Sequence, residues 1–133
     1  MKALKYLGIL LVAYIALVAV FESAIGFLQP QSAATIVITT TDAGGATRQR
    51  VVSRIDSDGR VYVAANHWPR AWYNEVLQHP AVQVTQAGAT AAYLAVPATA
   101  AETERVDAQH ALGLGIRILT GFPPRRFVRL DPA

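Results

Sequence analysis

The chain has 133 residues, 53% of them hydrophobic, with no cysteine and a formal net charge of +3 at pH 7. This length suits one membrane or targeting segment and one small domain, and the lack of cysteine excludes disulfides, thiolate metal sites and cysteine nucleophiles. From residue 31 onward, ten arginines face eight acidic residues, and this small excess of positive charge does not indicate a nucleic-acid partner.

The N-terminus predicts a transmembrane helix. No charged residue lies between Tyr6 and Phe21, and apolar residues resume after Glu22. About 20 apolar residues suffice to cross a bilayer as a helix. We therefore expect residues 1–30 to form a membrane anchor and linker, which makes the lipid bilayer a partner, and residues 31–133 to form a separate domain.

Three questions about this segment stay open. A cleaved signal peptide is the alternative, although no clear small-residue cleavage site ends the apolar run. Glu22 lies either at the membrane interface or inside the membrane as a functional acid, where a carboxylate at the bilayer centre costs about 2.5–3.5 kcal/mol. Lys2 and Lys5 favour a cytoplasmic N-terminus, but arginines also follow the segment, so the side of the membrane stays uncertain.

Strands and tight turns follow the linker. The run "TIVITT" at 35–40 is β-branched and apolar, as in a strand, and "DAGG" at 42–45 predicts a turn. Two β-rich runs at 50–55 and 60–65 flank "DSDG". Because an Asp-Gly pair between such runs is a strong hairpin signal, we expect a β-hairpin here.

The period of the sequence then changes twice. Apolar residues at helical spacing predict a helix at 69–79. Two β-rich runs at 82–86 and 89–98 predict a second hairpin. A second helix is expected over 99–119, and a last strand at 126–130. Thr99 and Glu102 have the spacing of a capping box at the start of that second helix.

This order of elements predicts a mainly β (α+β) fold: a small six-stranded split β-barrel with two helices, preceded by the N-terminal transmembrane helix. Two helices cannot cover both faces of an open sheet of six short strands. Closing the sheet into a barrel removes its exposed edges.

Common catalytic patterns do not occur. The three histidines lack metal-ligand spacing, and there is no P-loop, dinucleotide-binding or nucleophile-elbow motif. We therefore predict no metal-binding residues.

Arginines and aromatics remain as candidates. Arg48, Arg50 and Arg54 share one predicted strand region, where they either hold an anionic ligand or form a solvated face. The segment "NHWPRAWY" at 66–73 contains both tryptophans of the chain. Trp72 and Tyr73 either wall a ligand site or pack the helix onto the barrel.

The run from 39 to 85 resembles the deazaflavin-dependent nitroreductase and quinone reductase family, whose members are split β-barrels related to flavin-binding barrels. The resemblance covers roughly residues 35 to 131. The positions that match the family's motifs are Thr39, Thr40, Gly45, Arg48, Asp58, Gly59, Val63, Ala64, Ala65, Trp72, Tyr73, Pro80, Val82 and Val84.

The resemblance implies an oxidoreductase that transfers a hydride from reduced deazaflavin (coenzyme F-420) to a quinone-like or nitro-aromatic acceptor. It implies phosphate contacts at Arg48 and Arg50, and a ring lined by Ala65, Asn66 and His67. Trp72 and Tyr73 would form the pocket wall.

The sequence departs from the family at Glu75, where the family usually has asparagine, and at a turn. Where the family has a basic turn, this chain has Asp42-Ala43-Gly44-Gly45. We expect the amides of Gly44 and Gly45 to compensate in part and Arg70 to supply positive charge. FMN, or no cofactor, is the alternative. The rival function is a non-catalytic, membrane-tethered barrel that binds another ligand or a protein partner. A homodimer is possible for either function.

Overall fold

The computed structural model describes residues 1–29, 31–65 and 71–133. Within these ranges, a long N-terminal helix precedes a barrel that carries three shorter helices. The elements are α1 (Lys2–Leu28), β1 (Thr35–Thr41), β2 (Thr47–Ser57), β3 (Arg60–Ala65), α2 (Ala71–Gln78), β4 (Ala81–Gln86), β5 (Ala89–Pro97), α3 (Ala100–Gln109), α4 (Leu114–Leu119) and β6 (Arg126–Pro132).

Six antiparallel strands form a closed barrel in the order β1-β2-β3-β6-β5-β4. Pairing of β1 with β4, from Val37 opposite Thr85 to Thr39 opposite Gln83, closes it. Each strand thus has two hydrogen-bonded neighbours and no edge stays open. The predicted fold class is confirmed.

The alternation of side chains along the strands builds the core. In β1, Ile36, Ile38 and Thr40 are buried, whereas the residues between them are only partly buried. This is the period of two expected of a strand with one face inside. Burying one of the isoleucine side chains contributes about 1.5–3 kcal/mol.

The predicted hairpin between β2 and β3 is also confirmed. Asp58 and Gly59 have φ angles of 52° and 71°, the left-handed pair that a type I′ turn requires. Asparagine, aspartate and glycine tolerate this region best, so the turn chemistry is local.

The single helix predicted over 99–119 was wrong. Thr99 caps α3 and forms the expected capping box with Glu102, but α3 ends at Gln109 and a separate helix, α4, begins at Leu114. Gly113 lies at the start of α4 in an extended conformation, with φ −62° and ψ 152°. Glycine loses the most conformational freedom in a helix, which disfavours one continuous helix through Gly113.

Helix α1 lies against the barrel domain along its C-terminal half. The Tyr14 hydroxyl donates to the carbonyl oxygen of Ile118 at 2.8 Å. The side-chain carbonyl of Gln29 accepts a hydrogen bond from the Val51 amide at 3.1 Å. By length and composition, α1 could cross a membrane. The same apolar helix therefore contacts the barrel domain and is long enough to span a membrane.

Candidate functional site

A groove of about 280 Å³ lies where the C-terminal end of α1 meets β1, β2 and the first turn of α2. Cofactor and substrate pockets typically measure about 300–1,000 Å³, so this groove could hold part of a large ligand. It is lined by Glu22, Ser23, Gly26, Thr40, Arg48, Gln49, Arg50, Ala71, Trp72 and Glu75.

Arg48 lies at the exposed side of the groove. Cross-strand pairing places it opposite Thr40. Its Nε lies 3.4 Å from Oε1 of Glu75, and its Nη2 lies 3.9 Å from Oδ2 of Asp42. A guanidinium has five N–H donors, so these contacts leave donors of Arg48 for a ligand.

Glu75 reaches the same place from α2. Its Oε2 accepts a hydrogen bond from the buried hydroxyl of Thr40, while Oε1 faces Arg48. The glutamate thus orients the Arg48 side chain and connects α2 to β1.

Arg50 connects β2 to α1. Its Nη1 lies 3.4 Å from the carbonyl oxygen of Gly26 and donates a long hydrogen bond to it. Glu22 lies one turn earlier on α1 and is only 8% exposed. The groove therefore contains two arginines and two glutamates, and its charges balance among the described residues.

The turn before β2 binds its own carboxylate. The amides of Gly44 and Ala46 both donate to Oδ1 of Asp42 at 2.9 Å. Gly45 has a φ of 83° and donates its amide to the Asp42 carbonyl oxygen at 3.0 Å. An amide that already donates to a carboxylate is not available to a phosphate. The turn itself thus offers a phosphate little.

Trp72 and Tyr73 are partly buried and pack against the barrel core. Their rings meet edge to face, with centroids 6.2 Å apart and an interplanar angle of 88°. Trp72 also lines the groove. Tyr73 therefore serves the core, whereas Trp72 serves both the core and the groove.

The structure brings together only some of the residues that the sequence indicates. Arg48, Arg50 and Trp72 line the groove, whereas Gly44, Gly45, Ala65 and Tyr73 are not among the residues that line it. Ala65 is buried at the end of β3, opposite Arg126. Asn66, His67 and Arg70 lie outside the described residues. The proposed roles of all these residues stay predictions.

Sequence reasoning missed the wall that α1 contributes. Ser23 and Gly26 carry no motif, and the only signal is a carboxylate, Glu22, within an apolar helix. Such an acid is costly in lipid, and here it faces the groove instead. Its burial against the domain explains how a carboxylate can occur in this segment.

The groove fits an anionic cofactor in part. Arg48 and Arg50 supply charge-assisted donors, and Trp72 supplies aromatic surface. In the Asp42 turn, the amides of Gly44 and Ala46 donate to the Asp42 carboxylate. Within the described ranges, no group of three or more His, Asp or Glu residues could hold a metal ion.

Known structures share the fold at low identity. The heme storage protein HutZ from Vibrio cholerae is 19% identical with a TM-score of 0.56, covering 85% of this chain and 90% of its own. The F420-H2 dependent reductase FDR-A is 18% identical with a TM-score of 0.54, covering 74% and 94%. A structure described as a domain-swapped dimer is 16% identical with a TM-score of 0.58, covering 84% and 96%.

These likenesses concern the fold alone. No curated protein matches the chain. The family model for F420H(2)-dependent quinone reductase matches residues 15–112. This match covers most of the chain, from the middle of α1 to the end of α3, and includes every residue of the groove. The chain therefore belongs to the F420H(2)-dependent quinone reductase family of oxidoreductases.

Proposed function

We propose that this protein is a membrane-anchored reductase that transfers a hydride from reduced coenzyme F-420 to a quinone-like or nitro-aromatic acceptor. In this proposal, residues 1–30 anchor the chain in the bilayer and residues 31–133 form the catalytic barrel. The observation that carries the proposal is the position of the groove. It combines Arg48, Arg50 and Trp72 directly against an apolar helix.

When bound, the reduced deazaflavin supplies a hydride, and reduction of a quinone to a quinol needs this hydride and one proton. The chain supplies binding, orientation and exclusion of water. Arg48 and Arg50 would hold an acidic part of the cofactor, and Trp72 would pack against its ring. Glu75 keeps the Arg48 side chain in place.

The apolar surface of α1 favours a lipophilic acceptor. A quinone dissolved in the bilayer would reach the groove along α1 without crossing water. A nitro-aromatic compound would arrive from solution. Comparison of the two acceptors in lipid vesicles therefore separates the two substrate classes.

Binding tests the proposal first. The full chain in lipid nanodiscs is titrated with reduced and oxidised coenzyme F-420, with FMN as the comparison. We expect saturable binding of the deazaflavin and its oxidation when a quinone is added. Arg48→Ala should weaken cofactor binding by roughly 10- to 150-fold, because a hydrogen bond to a charged group contributes about 1.5–3 kcal/mol.

Arg126→Ala is the matched control, since Arg126 is an exposed arginine on β6 that does not line the groove. It should bind the cofactor as the wild type does. A folded wild-type chain that binds no deazaflavin would overturn the proposal.

The rival function is a membrane-tethered barrel without catalysis. The observation that favours it is the Asp42 carboxylate, which takes the turn amides that an anionic cofactor would need. In that case the double variant Asp42→Arg/Ala43→Lys should gain cofactor affinity from none.

A further inference from the structure

Helix α4 has no buried residue, and its exposed apolar side chains together with Phe122 form an apolar surface, the α4 face. The exposed fractions of Leu114, Ile116, Ile118 and Phe122 are 65%, 44%, 40% and 49%. Four large apolar side chains within nine residues are unusual on a surface that contacts only water. The face includes one turn beyond the helix, since Phe122 follows its C-terminal end.

This face is held beside the middle of α1. The Tyr14 hydroxyl donates to the Ile118 carbonyl oxygen at 2.8 Å. At Gly121, an added Cβ atom would lie 3.0 Å from Cγ1 of Val18. The two helices are therefore in close contact, and an apolar medium around this part of α1 would also reach α4.

The length of α1 determines how deep in a bilayer its contact with α4 would lie. About twelve residues precede Tyr14 in α1, and at a rise of about 1.5 Å per residue they extend roughly 18 Å. The hydrocarbon core of a bilayer is about 30 Å thick. The part of α1 that is free of the domain is thus too short to cross the core, so a bilayer around α1 extends to the level of α4.

The positive charge beside this face suits lipid headgroups. Arg117 lies on α4 with its guanidinium carbon 5.4 Å from the centroid of the Phe122 ring. Arg125 does not contribute, because its guanidinium pairs with the Asp107 carboxylate at 2.7 Å and its side chain is only 12% exposed. Long cationic side chains can bury their stems among apolar groups and leave the charge in the headgroup region, where anionic lipids attract them.

We propose that α4 and Phe122 form a second membrane-contact surface, which inserts into the interface of an anionic bilayer beside α1. The occupant of this face is lipid. The proposal rests on the membrane placement of α1 stated above. It adds that the barrel domain lies on the bilayer surface with α4 towards the lipid, whichever side of the membrane the domain occupies.

The lack of cysteine allows a direct test, because one introduced cysteine is the only site for a spin label. The full chain carries Leu114→Cys, Val12→Cys or Ala91→Cys in vesicles of phosphatidylcholine and phosphatidylglycerol. Ala91 is an exposed alanine of β5 and serves as the control. Access of each label to oxygen and to a water-soluble nickel complex is measured by electron paramagnetic resonance.

We expect the label at 114 to lose access to the nickel complex and to keep access to oxygen, while the label at 91 stays open to both. The proposal is overturned if the label at 114 behaves like that at 91, or if it loses access to both reagents, which would indicate a second protein copy on this face. If the label at 12 is also open to the nickel complex, the anchor fails too.

A second experiment tests the contribution of the Arg117 charge. Removing phosphatidylglycerol should return part of the nickel access at 114. In the Arg117→Gln background this lipid dependence should shrink. An equal lipid dependence in both backgrounds would contradict a role for Arg117.

Discussion

Individual carboxylates pair with arginines at two different places in this protein. Asp42 and Glu75 face Arg48 at the groove, whereas Glu102 holds Arg129 at the foot of α3, with Oε1 2.7 Å from Nη1. Glu102 also accepts the Thr99 amide and the hydroxyl of Tyr62. The first two acids contact an arginine that lines the groove, and the third connects α3 to the barrel strands.

Glu102 provides a test at this scale. Its hydrogen bond from the Thr99 amide and its pairing with Arg129 lower the pKa of the carboxyl from 4.5 to about 2. A lowered pKa in the folded state stabilises the protein above pH 4.5, and this contribution is lost as the pH falls from 4.5 towards 2. Glu102→Gln should therefore lower the free energy of unfolding by about 1–3 kcal/mol at pH 7 and by roughly half as much at pH 3, which lies within the range where the contribution is lost.

The measurement is denaturant unfolding of the full chain in detergent at both pH values. Glu104→Gln, an exposed glutamate of the same helix, is the control and should change little. A difference between Glu102→Gln and wild type that does not depend on pH would contradict the ionic role.

Turns and helix ends set the boundaries of the elements. Gly59 and Gly115 both have open space where a Cβ atom would lie, but only Gly59 has a left-handed φ, of 71°. Gly59 completes the β2–β3 turn, and Gly115 lies within α4. The same substitution should therefore have opposite effects in these two elements.

Gly59→Ala should destabilise the protein by about 1 kcal/mol, since an L-residue is strained in the left-handed region. Gly115→Ala should stabilise it by about 0.5–1 kcal/mol, because alanine is favoured over glycine in a helix. Thermal unfolding of both variants measures the two signs. A loss of stability in Gly115→Ala would show that α4 needs the glycine for packing.

At the scale of the whole molecule, α1 and the barrel share one groove. All strand pairings lie between residues 35 and 132, so the barrel can close without α1. The groove cannot, because α1 supplies Glu22, Ser23 and Gly26. The fold thus needs only the barrel domain, whereas the groove needs the barrel domain and α1.

Residues 31–133 expressed alone should therefore fold but bind the deazaflavin about tenfold more weakly than the full chain, a loss of about 1.4 kcal/mol. Circular dichroism reports the fold, and titration with the cofactor reports the groove. An unfolded fragment would contradict the domain boundary at residue 31. Unchanged affinity would remove α1 from the site.

The sequence alone determined the strands, both hairpins, the capped start of α3 and the apolar N-terminal helix. These features depend on neighbours within a few residues: alternation, Asp-Gly turn chemistry, a Thr99–Glu102 spacing and an uninterrupted apolar run. It also indicated Arg48, Arg50 and Trp72, which the structure brings together in the groove. It failed at Gly113, where a helical pattern hid a break.

Only the tertiary structure decided what surrounds those residues. Thr40 meets Glu75 across 35 positions, and Arg50 meets Gly26 across 24. No local pattern encodes such contacts, because barrel closure and the docking of α1 set them. For the same reason, the sequence could not reveal that Glu22 enters the groove or that α4 lies beside the middle of α1.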